Sequence, residues 1–486
     1  MSEFDTVIHG GRIATASDVF DADIGIKDGR IAAIAEKITG GERRIDASGK
    51  LVLPGGIEAH AHIAQESSTG LMTADDYYSG SVSAAFGGNS SFIPFAAQHR
   101  GQPIADVIKT YDDRAAPNSV LDYSYHLIIS DPSASVLEEL PGVFARGITS
   151  FKVFMTYDLM NIGDGGMLDI LTVARQHGAL TMVHAENNDM VKWMNKRLAA
   201  AGLTAPKYHA VSRPELAEEE AINRAVSLAK LVDAALFIVH VSTAGGAAIV
   251  QREKLAGTKL FAETCPQYLA LTLDDLDRPG MEGAKFICSP PVRDAATQSI
   301  LWRHVQSGTF ESVSSDHAPY RFDASGKFAN GADAPYAKIA NGMPGIAMRL
   351  PYLFSEGVSK GRITLQQFVA LSSTNAAKTF GVAKKGTIAP GYDADIAIWN
   401  PEKRHVATLA DQHDNMDFTP FEGMELQGWP ELTMSRGDVI VENGELKAAR
   451  GRGRFIARNP VDLTGKPGHR ARELDPARNF GAEIAP

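Results

Sequence analysis

Between residues 51 and 318 short apolar segments alternate with amphipathic ones, and this rhythm restricts the fold more than any other feature of the 486-residue chain. The apolar segments are "LVLPGGIEAH", "SSFIPFAA", "DYSYHLIIS", "ITSFKVFMT", "ALTMVHAE", "AALFIVHVS", "KLFAETC" and "ESVSSDHA". Helix-like stretches such as "PIADVIKTYDDRAA", "MLDILTVARQHG" and "AEEEAINRAVSLAKLVD" fall between them. Strands separated by helices in this way build parallel β/α units. Eight of them predict an α/β fold of the TIM (β/α)8 barrel type. A doubly wound sheet is the alternative, but no phosphate-binding glycine fingerprint follows the first strand.

The two ends of the chain have another texture. The first fifty residues alternate apolar and polar positions at period two between glycine turns, which reads as short strands. The same texture returns in "GTIAPGYDADIAIWNP", "MSRGDVIVENGEL" and "GRGRFIARNP". Both ends are therefore expected to form one small β-sandwich domain. The expected division is 1–54 for its first part, 55–380 for the barrel, 381–455 for its second part, and 456–486 for a tail at a subunit interface. A chain of this length exceeds what one core supports, which suits two domains.

A net charge of −10 with scattered signs offers no basic stripe for nucleic acid. No apolar run approaches the length needed to span a membrane. The amino-terminal "MSEFDTVIHGGRIATAS" lacks a basic segment followed by an apolar core, so the expected location is the cytoplasm. The two cysteines, Cys265 and Cys288, belong to no CxxC and are expected to be reduced and structural. The locally basic "KAARGRGRFIARNP" reads as a solvated or subunit-contacting surface. Walker, dinucleotide, nucleophile-elbow and HExxH motifs are missing. A small neutral molecule is the partner that suits these properties.

In a TIM barrel the chemistry sits at the carboxyl ends of the strands. The first strand ends in His60 and His62, the fourth contains Lys152, the fifth ends in His184, the sixth in His240 and the eighth in Asp316. Residues two apart on a strand face one side, so His60 and His62 can share one ion. Taken alone, the pair equally suits packing or capping, His184 and His240 suit interior hydrogen bonding, and Asp316 suits a helix cap. Lys152, inside "SFKVFM", is expected to be buried, which disfavours its charged form. It could snorkel, form a Schiff base, or take up CO2 as an anionic carbamate that bridges two cations. Six groups of metal-ligand type on five strands at one rim favour a metal centre.

The segments "GGIEAHAH", "FKVFMTY", "MVHAEN", "FIVHVST", "ETCPQYL", "CSPPVRD", "SSDHAPY" and "NGMPGIAMRLPYLFSEG" resemble, in order and spacing, the cyclic amidohydrolases, and as a set the hydantoinase/dihydropyrimidinase branch. The likeness runs from about residue 4 to residue 455. It implies two divalent ions per subunit, zinc first, with manganese or cobalt as alternatives. His60 and His62 would hold one ion, His184 and His240 the other, carboxylated Lys152 would bridge them, and Asp316 would complete the first. Tyr157 would donate to the developing oxyanion, and backbone groups of Ser289 and Asn341 would hold the ring amide. Paired cations bring a shared water to a pKa near 7, giving hydroxide to attack a cyclic amide or imide. Asp316 would act as base and then acid. The likeness also implies a homotetramer, or a dimer, with the tail reaching a neighbour.

The alternatives are an allantoinase-like or other amidohydrolase, and a non-catalytic scaffold of the same branch that has lost the ligands. This chain keeps all six. It departs from the pattern at Glu58, where aspartate is usual, at Ala64, where dihydroorotases carry arginine, and at Ala347, where glutamate is frequent. Gln65, Glu66 and Ser67 are expected to meet the substrate. Leu71, Met72, Leu159 and Met160 suit either a contact with the ring substituent or packing.

Overall fold

The computed structural model describes residues 3–466, 468–469 and 471–484. Eight parallel staves close into a barrel. The first is Gly56–Glu58, the second is Asn89–Phe92 continued by Phe95–Ala97, and the third is Asp122–Tyr123 continued by His126–Ile128. Ser150–Phe154, Leu180–His184, Leu236–Ile238, Leu260–Thr264 and Ser312–Val313 follow in chain order. A parallel bridge between Ala61 and His317 joins the last stave to the first, with His62 N donating to His317 O at 2.7 Å. The expected barrel is thus present.

Period-two alternation sorts the staves into two layers. Phe151, Val153, Leu236, Ile238, Leu260 and Ala262 face the surrounding helices, within the large buried cluster. Ile128, Phe154, Leu180, Met182, Phe237 and Phe261 face the interior, where Ala376, Ala377, Phe380 and Val382 close one end. At ~25 cal/mol per Å2 of apolar area, such fully buried side chains contribute about 1.5–3 kcal/mol each before entropy is subtracted. The interior is filled from the amino-terminal end, and polar groups are left to the opposite rim.

The sequence segment "LVLPGGIEAH" serves two sheets rather than one. Leu51–Pro54 pairs antiparallel with Ile396–Val406, and only Gly56–Glu58 enters the barrel. Leu51–Pro54 also joins Arg12–Ala14 in parallel, so one seven-stranded sheet draws strands from both chain ends. A four-stranded sheet of Thr6–His9, Asp23–Lys27, Arg30–Ala35 and Arg43–Asp46 forms the second layer. Ile8, Ile24, Ile26 and Ile45 pack there against Val52, Ile396, Ile398 and Met434.

Two expectations for the carboxyl end change. "GRGRFIARNP" adds no strand to the sandwich; it runs along the barrel, where Phe455 bridges Tyr123 and Ile456 N donates to Tyr123 O at 2.6 Å. The basic stretch is not simply a solvated face. Arg458 is buried, donating to Ser124 Oγ at 2.9 Å and to the Tyr125 carbonyl at 2.5 Å, while Arg452 binds Ser435 O at 2.7 Å. The tail begins on its own barrel: Ile456, Val461 and Leu463 cover the apolar interior cluster, and Val461 N donates to Gly178 O at 2.8 Å. Residues 467, 470, 485 and 486 of that tail lie outside the described residues.

Candidate metal centre

The six expected groups converge at the carboxyl-terminal rim. Lys152 lies mid-strand between Ile128 and Met182, its side chain 1% exposed and directed inward. Its Nζ stands 3.0 Å from His60 Nε2 and 4.3 Å from the centroid of the Phe95 ring. His60 Nε2 is also 3.0 Å from Asp316 Oδ1, and His62 Nε2 is 3.4 Å from the same oxygen. Across the opening, the His184 and His240 rings lie 4.5 Å apart, and His240 lies 5.4 Å from His60. One donor atom each from His60, His240 and Asp316 falls within 4.8 Å of the others.

The backbone reaches this arrangement by leaving the extended region. His60 and His62 lie beyond the last residue of their strand rather than inside it. His240 follows Val239, an interior residue; continued alternation would face it outward, and a left-handed φ of 40° redirects it. Asp316 and Tyr157 have φ of 49° and 66°. Non-glycine residues in this region are strained and persist where the surroundings fix them.

Partners that sequence inspection missed orient the rings. His60 Nδ1 bonds Glu263 Oε1, His62 Nδ1 donates to Gln65 Oε1 at 2.7 Å, and His184 Nε2 contacts Glu186 Oε2 at 2.6 Å. Glu186 is held in turn by Arg213 Nη1 at 2.5 Å. Although burial opposes it, Arg213 and His184 hold the Glu186 carboxyl down to about 2. Each of these three rings thus fixes one nitrogen and leaves the other for the centre, the arrangement that metal-binding histidines use. Gln65 lines the site cavity, with its carbonyl oxygen taken by His62. Ser67 lines the site cavity but turns its hydroxyl to Leu71 N, and Glu66 lies 3.9 Å from His99. Glu186 and Gln65, two and three residues beyond the rings they hold, had a local signal, whereas Glu263 had none.

The donor set fits divalent cations. His240 Nδ1 is buried without a hydrogen-bond partner. Burial pushes His62 down to about 4, lowers His184 and puts His240 well below its usual value, so these imidazoles are neutral at pH 7, the form that can ligate. His60 is the exception: burial and Lys152 act to lower it, but Glu263 and Asp316 outweigh them. Burial pushes the Lys152 amine down to about 8, which raises the share of nucleophilic free base above that of an ordinary lysine. A second cluster, Asp75, His317 and Asp414, has ligand-type groups at similar spacing. There His317 Nδ1 accepts from Gly345 N at 3.1 Å, so its Nε2 carries the proton donated to Asp75 and cannot ligate.

An open cavity of about 810 Å3 leads to the rim. Tyr157, Ser289 and Asn341 line it with His62, His184 and Asp316. Leu71 and Met160 also line it, whereas Met72 and Leu159 point outward, 42% and 53% exposed.

A parallel β/α barrel with histidines, a lysine and an aspartate gathered at its carboxyl-terminal rim has the layout of a barrel metallohydrolase. The chain belongs to the Amidohydrolase family, whose model matches residues 51–440. It is 43% identical over 456 residues to a D-hydantoinase of Rhizobium radiobacter, covering 93% of this chain and 99% of that one. Among solved structures it superposes on the dihydropyrimidinase from Brevibacillus agri NCHU1002 with a TM-score of 0.91 and 40% identity, covering 95% and 100% of the two chains. An L-hydantoinase (dihydropyrimidinase) from Arthrobacter aurescens gives 0.86 at 29% identity, covering 94% and 100%.

Proposed function

We propose that this cyclic-amide hydrolase opens the ring of a hydantoin, dihydropyrimidine or cyclic imide at a binuclear metal centre. One observation carries the proposal: a buried lysine amine stands among imidazoles and an aspartate at the rim, where burial opposes the cation and a bridging anion would complete a ligand set. In this assignment His60, His62 and Asp316 would hold one ion, His184 and His240 the other, and Lys152, as a carbamate, would contribute to both. Two such cations, most suitably zinc and otherwise manganese or cobalt, would supply Lewis-acid chemistry and water activation at neutral pH.

The protein's own groups do the rest. Burial raises the Tyr157 phenol, so it stays protonated and can donate to the oxyanion that develops on the attacked carbonyl. Asp316 accepts the proton of the attacking water and delivers it to the ring nitrogen. The C–N bond breaks, the carbonyl carbon keeps the oxygen of water as a carboxylate, and the nitrogen leaves protonated. Backbone groups of Ser289 and Asn341 hold the ring amide in register with Asp316.

Among the described residues no helix is long and apolar enough to cross a membrane. Two buried, unpaired cysteines suit a cytoplasmic setting. We also propose domain limits near residues 54/55 and 380/381, and a homotetramer or dimer. The decisive experiment compares ring opening of phenylhydantoin, dihydrouracil, succinimide and allantoin by metal-loaded protein, with elemental analysis. Turnover of a hydantoin or dihydropyrimidine with two ions per chain is expected. Preference for allantoin would shift the substrate class, and less than one ion per chain without turnover would sink the proposal.

A further inference from the structure

Lys327 is as deeply buried as Lys152, at 0% exposure, yet it takes no part in the chemistry described above. The third buried lysine, Lys385, lies among the carboxylates of Asp122, Asp393 and Asp395. None of the ion pairs among the described residues involves Lys327. Its ammonium donates instead to three backbone carbonyls: Ile287 at 2.9 Å, Ala340 at 2.8 Å and Gly342 at 2.7 Å. Three donors meet three acceptors, so the buried charge is fully hydrogen-bonded without a counter-ion. Burial alone pushes the amine down to about 7, whereas carbonyl acceptors favour the charged form.

The three carbonyls belong to the two segments that carry Ser289 and Asn341. Ile287 precedes Ser289 by two residues, and Ala340 and Gly342 flank Asn341. Gly342 N donates to Ile287 O at 3.0 Å, so that carbonyl receives both the ammonium and the neighbouring segment. The Ala340 carbonyl shares its peptide unit with the N–H of Asn341; a cation on the oxygen fixes that unit and strengthens the N–H as a donor. The surroundings are built for close approach. A Cβ on Gly342, whose φ is 141°, would come within 2.5 Å of Ala318, and one on Gly326 within 2.2 Å of the Arg321 carbonyl. Lys327 N itself donates to Arg321 O at 2.7 Å, which anchors the loop that delivers the side chain.

We propose that Lys327 is a positioning residue whose ammonium clasps the Ile287 and Ala340–Gly342 segments, and so sets how tightly the cyclic amide is held by Ser289 and Asn341. This rests on the ring-opening function proposed above. It touches neither the metal ligands nor Asp316, so its contribution falls on binding that ground state and transition state share.

The test uses Lys327→Met, which keeps the length and apolar stem without a donor, and Lys327→Gln, which restores part of the donor set. Both are assayed as full-length, metal-loaded protein with phenylhydantoin, after elemental analysis and a thermal melt. KM is expected to rise about tenfold or more in the Met variant, with kcat within about threefold and metal content unchanged. The Gln variant should fall between it and the parent. A folded Met variant with the parental KM would overturn the positioning role while leaving ring opening intact. Equal loss of kcat and metal, or failure of both variants to fold, would assign Lys327 to the scaffold and overturn it as well. Wild-type protein that opens none of the rings would fail the underlying function, and this proposal with it.

Discussion

The Nζ of Lys152 and the Nε2 of His60 face each other at 3.0 Å, both deeply buried at the floor of the site cavity. An ammonium there is opposed by burial, and the neighbouring Phe95 and Phe154 rings, 4.3 and 5.1 Å from Nζ, return little of what hydration would give. A carbamate changes the sign of the charge and adds two oxygen donors. Lys152→Ala is accordingly expected to lose most bound metal, and activity by more than about 10³-fold, because several kcal/mol of charge stabilisation disappear. Added short carboxylic acids should restore part of both. Full activity and two ions per chain in the Ala variant would remove the bridge.

Asp316 separates two roles that one carboxylate can combine. Burial opposes its ionisation, but His60, His62 and His240 outweigh it and hold the group well below the usual carboxylate range. Asp316→Asn keeps an oxygen for the metal and cannot take a proton from water. Metal content near the parental value with kcat reduced about 10²–10⁴-fold is expected, the usual share of general acid–base catalysis. Normal turnover by a metal-loaded Asn variant would exclude the proton-transfer role.

How far the sequence exposed this site follows from the range of the interactions. Stave order and the groups gathered at the rim were legible because each lies within a few residues of an apolar run, and the period-two rule tells which side chains share a face. The turn at His240 was not, since alternation alone would have pointed that ring outward. Nor was the role of Glu263, which meets His60 across 203 positions of sequence and looks locally like any strand-end carboxylate. "GRGRFIARNP" was misplaced for a related reason: its glycines and arginines look like an edge strand, while the buried contacts of Arg458 with Ser124 and Tyr125 are visible only once the barrel is closed.

Glu58, where aspartate is the common residue, supports the centre from behind. Its Oε1 accepts from His60 N at 2.8 Å, both oxygens lie 3.2 Å from Ser315 N, and Arg349 Nε stands 3.2 Å from Oε2. Burial raises this carboxyl, and the Arg349 charge acts against that rise. Glu58→Gln leaves the buried guanidinium without its counter-charge, an imbalance worth about 3–5 kcal/mol. A clear fall in the denaturant midpoint is expected for Gln and a smaller one for Glu58→Asp, which keeps the charge but shortens the reach to Ser315 N. Equal midpoints for Glu58→Gln and the parent would show that the pair contributes nothing.

Asp414 offers a pH dependence separate from the chemistry. Burial, followed by the charge of Asp75, raises its carboxyl to about 7, and its Oδ2 has no hydrogen-bond partner. The folded protein therefore binds a proton here that the unfolded chain, with a carboxyl near 3.8, has released across the interval between those values. With more protons bound in the folded state, stability from this group is complete below about pH 4, declines as pH rises, and is gone once pH has passed about 7. Asp414→Asn keeps the neutral shape at every pH. Its thermal midpoint should match the parent below about pH 4 and exceed it by a few degrees near pH 8.5. A parent and variant that differ equally at both pH values would show that Asp414 does not titrate in that window. Because Asp75 also binds the ring of His317, the neighbour of Asp316, the same comparison made on kcat reports whether the proton on Asp414 is felt at the rim.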